Sequence, residues 1–466
     1  MHHLFHIPEL VDAICEQLRL FPPLGGGERA LARLSRTAHT FEVPALSALW
    51  HTQHTLGNVV RLLPNDVLMV ESVLSHFPRP YTSQSLVSLS SFIRAPIDAE
   101  LDRYRFYAPF IKELYITNDV FSFNLDNICQ YLLEENPLPS IFSLHWLSPL
   151  SWRRMDVFLN ADIGAVTLHK VHVFSELRYV LGQIKHTCIN LVRFEMEMER
   201  VAPPHRLKGI DEAFADFLVD LPIRHLCMHS PLNDGCLARV GQLSDLVSLQ
   251  LIEGRPGQHL PPGCLPRIRK LTMRCLTFGF ADTLVGALLN SPLESFSCEY
   301  EPPWTATQQE SLLLRITTAV QPATLRALRV VMVSHAPQLP TSTGSKSSLV
   351  TFTAIQPLLL FRSLEAITIE TQDGCNFTDD ELEAMGTSWP EMVHLNLCGC
   401  KHSAQQPRAT LRGLVRLASL CPRLMRLSVV FDARNTSEVQ WAAGDEALRG
   451  PSPMKSCRQW VLAGRG

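Results

Sequence analysis

The chain lacks any membrane-length apolar run. Its most apolar stretches, such as Leu358 to Phe361 and Leu284 to Leu289, stop far short of the roughly 20 residues a span needs, so no membrane partner is expected. It also lacks an excess of charge. The net charge is -3, which offers no basic footprint for nucleic acid. Its 13 cysteines include no C-x-x-C pair and no closely spaced Cys/His set of zinc type. H-E-x-x-H and G-x-S-x-G are absent, and no glycine-rich turn follows a strand as dinucleotide folds require. Gly344-Ser345-Lys346-Ser347 resembles the end of a phosphate loop but lacks its upstream glycine and its Gly-Lys pair. His2, His3 and His6 lie too near a free end to make a metal site. No catalytic residue, cofactor or metal is therefore expected, and the chain is not expected to be an enzyme.

An apolar share of 46% over 466 residues is what remains. That length exceeds one ordinary core and suits either several domains or an elongated repeat array. Met1 to Leu20 lacks a basic start and carries Glu9, Asp12 and Glu16, unlike a secretion signal. Reduced thiols and a cytoplasmic or nuclear location follow as expectations.

Pro390 to Cys400 holds the informative pattern. Met392, Leu395 and Leu397 stand at the spacing L-x-x-L-x-L, and Cys400 falls where leucine-rich repeats carry Asn or Cys. Period-2 alternation predicts a short strand with Leu395 and Leu397 on one face and His394, Asn396 and Cys398 on the other. The pattern recurs with its middle position at Leu114, Leu144, Val171 (as Leu168, Val171 and Val173), Phe194, Leu226, Leu249, Leu271, Phe296, Leu328, Ile367, Leu395 and Leu427. The spacing is irregular, roughly 22 to 39 residues. Helical apolar spacing fills many gaps: Asp126 to Glu135, Ser175 to His186, Ile210 to Leu221, Asp282 to Asn290, Gln308 to Val320, Asp379 to Met385 and Thr410 to Leu420. Pro139, Pro222, Pro266, Pro292, Pro322, Pro390 and Pro422 precede the next pattern, where a proline stops the helix and favours extended chain before it. Twelve units exceed an eight-stranded barrel. The predicted fold class is α/β: a small N-terminal three-helix bundle followed by a curved parallel-strand and helix solenoid, leucine-rich-repeat-like, with about twelve irregular repeats.

The N-terminal bundle has its own pattern. Leu10, Val11, Ile14 and Leu18 follow Pro8-Glu9 at helical spacing, Pro22 to Gly27 breaks the helix, and two more helices are predicted through Ala30, Leu31 and Leu34, and from Pro44 to Trp50. So small a bundle barely buries its own core, which leaves an apolar face for another protein. Ile7-Pro8-Glu9-Leu10-Val11, Leu31 to Ala38, and Pro44-Ala45-Leu46 with Leu49-Trp50 together resemble an F-box, in detail similar to the version in the expanded F-box families of mushroom-forming fungi. Two departures are the long glycine-rich loop and Leu34-Ser35-Arg36-Thr37-Ala38 in place of the valine-cysteine-arginine-x-tryptophan segment. The resemblance implies docking onto a Skp-type adaptor, and through it a cullin-RING ubiquitin ligase, by Ile7, Pro8, Glu9, Leu10, Ile14, Leu18, Leu31, Leu34, Leu46, Leu49 and Trp50. The alternative is a helical cap on the array behind it.

Domains are expected at 5–51 for the F-box-like bundle and 52–110 for a helical transition and N-terminal cap, with Val67 to Phe77 helical and Pro78 to Ser91 a loop. The solenoid is expected at 111–432 and an irregular tail at 433–466. Residues 334–348 read as a polar surface loop. On the strands, side chains flanking the middle apolar positions should line the concave face: His172, Glu195, His225, Lys270, Arg274, Arg329, His394, Asn396 and Arg426 are the candidates for contact with a protein substrate. Mixed charge there argues for a protein surface and against nucleic acid. The expected function is a substrate-recognition adaptor of a ubiquitin ligase; the alternative is a leucine-rich-repeat interaction scaffold with no ligase role.

Overall fold

The computed structural model describes residues 7–20, 26–64, 66–74, 86–92, 94–117, 138–147, 152–171, 174–198, 204–253, 260–301, 304–333, 349–371, 374–397, 407–432, 434, 459–460 and 464–465. They divide into two compact units, Met1–Ile223 and Arg224–Gly466.

The first unit opens with three helices, Pro8–Arg19, Gly26–Leu34 and His39–Trp50. Pro8 stands at the start of the first, where its missing N–H costs nothing, and Glu9 and Arg19 sit at the ends that favour their charges. Val11, Cys15, Leu31, Phe41 and Ala45 close the bundle core, with Leu18, Leu34 and Leu49 packed against it. The third helix begins at His39, five residues before the predicted start. Pro44 lies inside it, so the proline removes one hydrogen bond from the helix without ending it.

The parallel ladder starts earlier than the repeat pattern predicts. Strand β1 (Thr52–Gln53) pairs with the strand after Ile111, matching Thr52 to Glu113 and Gln53 to Leu114. Opposite the middle residue Leu114 it carries the polar Gln53, which a search for apolar triplets passes over. Gln53 is nonetheless buried and satisfied: Nε2 donates to the Trp50 carbonyl at 3.2 Å, and Oε1 accepts from Asn58 Nδ2 at 3.2 Å. The helix expected over 67–77 is corrected at residues 68–74. Instead of a helix, β2 (Leu68–Leu74) pairs antiparallel with β3 (Leu86–Phe92), part of which was expected to be loop. Val70 and Val73 favour strand, and Leu86, Val87 and Leu89 supply an apolar partner strand that local helical spacing does not reveal. A chain of short helical turns from Asp98 to Phe110 then leads into the ladder.

Strands β4 (Glu113–Ile116), β5 (Ser143–Trp146), β6 (Ala165–Val171) and β7 (Arg193–Met198) pair parallel in sequence order. Leu144, Val166 and Phe194 share one row, and Trp146, Leu168 and Met196 the next. The third repeat is therefore Ile163, Val166 and Leu168, five residues upstream of the predicted Leu168, Val171 and Val173. Both sets fit the spacing; the pairing selects the first because Ile163 and Val166 are fully buried in line with their neighbours, and the register shifts after Leu168.

In the second unit the parallel order is β8 (His225–Met228), β9 (Ser248–Ile252), β10 (Lys270–Cys275), β11 (Ser295–Tyr300), β12 (Ala327–Met332), β13 (Ala366–Glu370), β14 (His394–Leu397) and β15 (Arg426–Val429). Two stretches of the predicted irregular tail rejoin the structure. Strand β16 (Phe431–Asp432) continues after β15; β17 (Gln459–Trp460) matches Leu427 to Trp460, and β18 (Gly464–Arg465) pairs with β16. The middle apolar residues Leu226, Leu249, Leu271, Phe296, Leu328, Ile367, Leu395 and Leu427 are all buried. Each such side chain gains roughly 1.5–3 kcal/mol on burial, which fixes the register rung by rung.

Helices return the chain between strands at Phe174–Thr187, Pro204–Phe217, Asp234–Val240, Phe278–Ala287, Ala306–Ala319, Asp379–Ser388 and Leu411–Leu420. Polar N-caps start several of them: Asn233, Thr277, Thr305, Thr378 and Thr410 each accept a backbone N–H from the first turn. Thr305 with Gln308, and Thr378 with Glu381, complete reciprocal capping boxes. Each unit is thus the parallel strand and helix solenoid that the leucine-rich-repeat-like pattern predicts. No helix among the described residues is long and apolar enough to cross a membrane. The predicted Asp126 to Glu135 helix, the 334–348 loop, His2, His3, His6, Cys398 and Cys400 lie outside the described residues.

Candidate functional site

Two surfaces stand out by chemistry. The first is on the bundle, where Ile7, Leu10 and Ile14 keep 42%, 41% and 41% of their surface exposed although each is a large apolar residue. Their spacing puts them on one side of the first helix, while Val11 and Cys15, next in sequence to Leu10 and Ile14 respectively, face the core. Val43, on the third helix, is exposed as well, and sequence reasoning missed it. Pro8 and Glu9 are exposed, and Leu18, Leu34, Leu46, Leu49 and Trp50 are half-buried. Leu31 requires a correction: at 1% exposure it belongs to the core that shapes the bundle, and no partner reaches it without opening the helices. Trp50 packs its ring 4.6 Å from that of Tyr107, so part of its surface is committed within the chain.

The second surface is the side of the ladder opposite the buried leucine rows. In the first unit it carries a connected polar network. Thr52 Oγ1 donates to Glu113 Oε2 at 2.9 Å, and Tyr115 OH donates to Glu113 Oε1 at 3.1 Å. His145 Nε2 lies 3.1 Å from that same Oε1 and 3.0 Å from Ser143 Oγ. The Tyr115 and His145 rings are stacked at 4.1 Å, and the His54 ring lies 5.1 Å from Tyr115. The hydrogen bond from His145, with those from Thr52 and Tyr115, holds the Glu113 carboxyl down at about 2 against the opposing effect of burial. Burial, and then the Glu113 charge, push the Tyr115 hydroxyl up to about 12. Ser143, His145 and Glu113 do not form a hydrolytic triad. Such a triad places serine and carboxylate on different imidazole nitrogens, and here both meet Nε2.

Of the predicted contact residues in this unit, Glu195 lies on β7, 3.6 Å from Arg193. His172 lies outside the described residues, and the corrected register puts Thr167, not His172, beside Val166.

In the second unit His225, Lys270, His394 and Arg426 share the row before the middle position, and Arg329 and Asn396 the row after it. Between them stand small residues, among them Ser248, Ser295, Ser297, Ala327, Ala366 and Thr368. Lys270, Arg329 and Arg426 are exposed. Arg274 is already engaged by Glu301, Arg329 meets Glu299 at 3.1 Å, and Asn396 Nδ2 donates to Glu370 Oε1 at 2.6 Å. Burial, and then the Arg426 guanidinium, hold His394 below the usual imidazole range. The structure therefore brings His394, Asn396 and Arg426 together on adjacent strands, and pairs Arg274 and Arg329 with carboxylates the sequence reading left out or left unpaired.

No protein-family model matches this chain, and no curated protein matches it. Among solved structures it is similar to a chain of the Rad7 and Elc1 complex in yeast, at 14% identity over 99% of this chain and 93% of that one, with a TM-score of 0.38. It is also similar to the internalin InlF of Listeria monocytogenes, at 13% identity over 69% of this chain and 68% of that one, with a TM-score of 0.29. The leucine-rich repeat-containing protein LegL7 of Legionella pneumophila matches at 12% identity over 66% of this chain and 90% of that one, with a TM-score of 0.33. The fold assignment stands on the strand pairing and burial of the chain itself.

Proposed function

We propose that this protein is a substrate-recognition adaptor of a Skp-cullin-F-box type ubiquitin ligase. The helical bundle docks the Skp-type adaptor, and the open face of the ladder holds a protein substrate. Its contribution to catalysis is proximity, supplied to another enzyme's ubiquitin transfer. The observation that carries this reading is the outward row of Ile7, Leu10 and Ile14, left exposed over a bundle whose own core is closed by Val11, Cys15, Leu31, Phe41 and Ala45. The polar, mixed-charge ladder face supports recognition of a protein surface.

The test is co-purification with a Skp-type adaptor. Ile7→Asp with Leu10→Asp should abolish retention while the melting temperature stays near that of the parent; retention that survives both changes in a folded protein sinks the docking role.

A second reading, an interaction scaffold whose bundle only caps the array, is favoured by one observation: Thr52 and Gln53, immediately after the bundle, already pair with the next strand. On that reading no Skp-type adaptor is retained by the parent chain.

A further inference from the structure

His225, Cys227 and His229 alternate along one strand and its exit, so their side chains leave on the same side. Cys227 Sγ lies 3.1 Å from His229 Nε2, and both residues are half-buried. The arrangement differs from that of most other described thiols. Cys188 and Cys421 are buried, and burial pushes their thiols up to about 12 and about 11. Cys15, Cys236, Cys275 and Cys298 are buried too, out of reach of a reagent in solution. Cys264 is half-buried like Cys227, with burial raising its thiol.

We propose that Cys227 and His229 form a nucleophilic thiol and imidazole pair that adds covalently to soft carbon electrophiles of the α,β-unsaturated carbonyl class. A nucleophile within hydrogen-bond reach of a base is the general arrangement for such attack. His229 Nε2 takes the thiol proton, and the sulfur attacks the β-carbon of the electrophile. A sulfur–carbon bond forms, the carbon–carbon π pair moves onto the α-carbon as an enolate, and the imidazolium returns the proton there. The reaction is an addition: nothing leaves, and no oxidant or reductant is needed. Cys227 stands in register with Gln250 on the open face, so an adduct would occupy part of the surface assigned above to substrate. The thiol chemistry rests on the pair's own geometry and stands even if the ligase reading fails.

The test treats the full chain with N-ethylmaleimide, quenches at intervals, and maps each labelled cysteine by peptide mass spectrometry. Cys227 should label at least about 10-fold faster than Cys264, and His229→Gln should slow Cys227 about 10-fold while Cys264 is unchanged. Equal rates at Cys227 and Cys264, or a Cys227 rate untouched by His229→Gln, would overturn the proposal. If His229→Gln loosens the fold, buried Cys236 will label faster as well. The parent chain then decides: a Cys227 to Cys264 rate ratio no higher in the folded protein than in denaturant also overturns it.

Discussion

The Asp379 carboxylate grips Thr410 twice, taking its backbone N–H at 2.7 Å and its hydroxyl at 2.6 Å. Asp379 opens one helix and Thr410 caps the next, so a single side chain ties two successive repeats. Asp379→Ala should cost about 1–3 kcal/mol, because both donors lose their acceptor in a half-buried place. Gly413→Ala should destabilise as well, since an added Cβ would run into the Asp379 carboxylate. Urea denaturation of each variant measures both effects.

Glu253 does the same work from inside. It is 2% exposed, and its carboxylate accepts the backbone N–H groups of Leu276 and Thr277 at 2.5 and 2.6 Å, together with the Thr277 hydroxyl. These donors begin the Phe278–Ala287 helix, where negative charge is favoured. Glu253→Ala should cost about 2–4 kcal/mol and Glu253→Gln less, since the amide still accepts. A Glu253→Ala variant as stable as the parent in equilibrium unfolding would contradict this assignment.

Acid should weaken the first unit through Glu113. Its carboxyl is held at about 2 in the folded chain against an ordinary 4.5, so the folded state favours the ionised form. A depressed carboxyl contributes stability in full above about pH 4.5 and loses it as pH falls toward 2. With the side chain 26% exposed, the contribution is on the order of 3 kcal/mol. Glu113→Gln should lose that stability at neutral pH and show a shallower fall between pH 5 and about 2 in pH-dependent unfolding.

On the bundle, two leucines should answer oppositely. Leu10→Asp changes an exposed residue and should leave the melt nearly unchanged while weakening adaptor capture. Leu31→Asp puts a charge in the core and should melt the bundle, losing helical circular dichroism together with binding.

Substrate capture separates Lys270 from Arg274. Lys270 is exposed, so Lys270→Glu should reduce substrate binding at a melting temperature within a degree or two of the parent. Arg274→Glu faces the Glu301 that now engages it, and should cost about 1 kcal/mol of stability besides. Thermal melts of the two single variants distinguish them.

The repeat was legible in the sequence because burial of one face forces a period of two, and prolines mark the returns. Where the rule allowed two answers it failed. Val166 and Val171 both satisfy the spacing, and only pairing with Leu144 and Phe194 selects Val166. Gln53 was passed over because a polar side chain occupied a leucine position, its amide satisfied by Asn58 and Trp50. The Leu68–Leu74 hairpin strand depends on a partner a dozen residues away, which local periodicity does not weigh. Alternation was legible, and Lys270, His394, Asn396 and Arg426 do flank the buried middle residues Leu271, Leu395 and Leu427 on their strands. The ion-pair partners of Arg274 and Arg329 were not legible, since Arg274 with Glu301 and Arg329 with Glu299 join residues from different repeats. His225, Cys227 and His229 could have been found by the same alternation that revealed the leucines, applied to the opposite phase of the strand.

Trp50 ends the bundle, packs on Tyr107 and receives the amide of Gln53 one turn of chain later. The consequence is mechanical. Among the described residues only His51 stands between the third helix and β1, so the helices join the first rungs without a long linker. Whatever grips the bundle also aims the ladder's first strands.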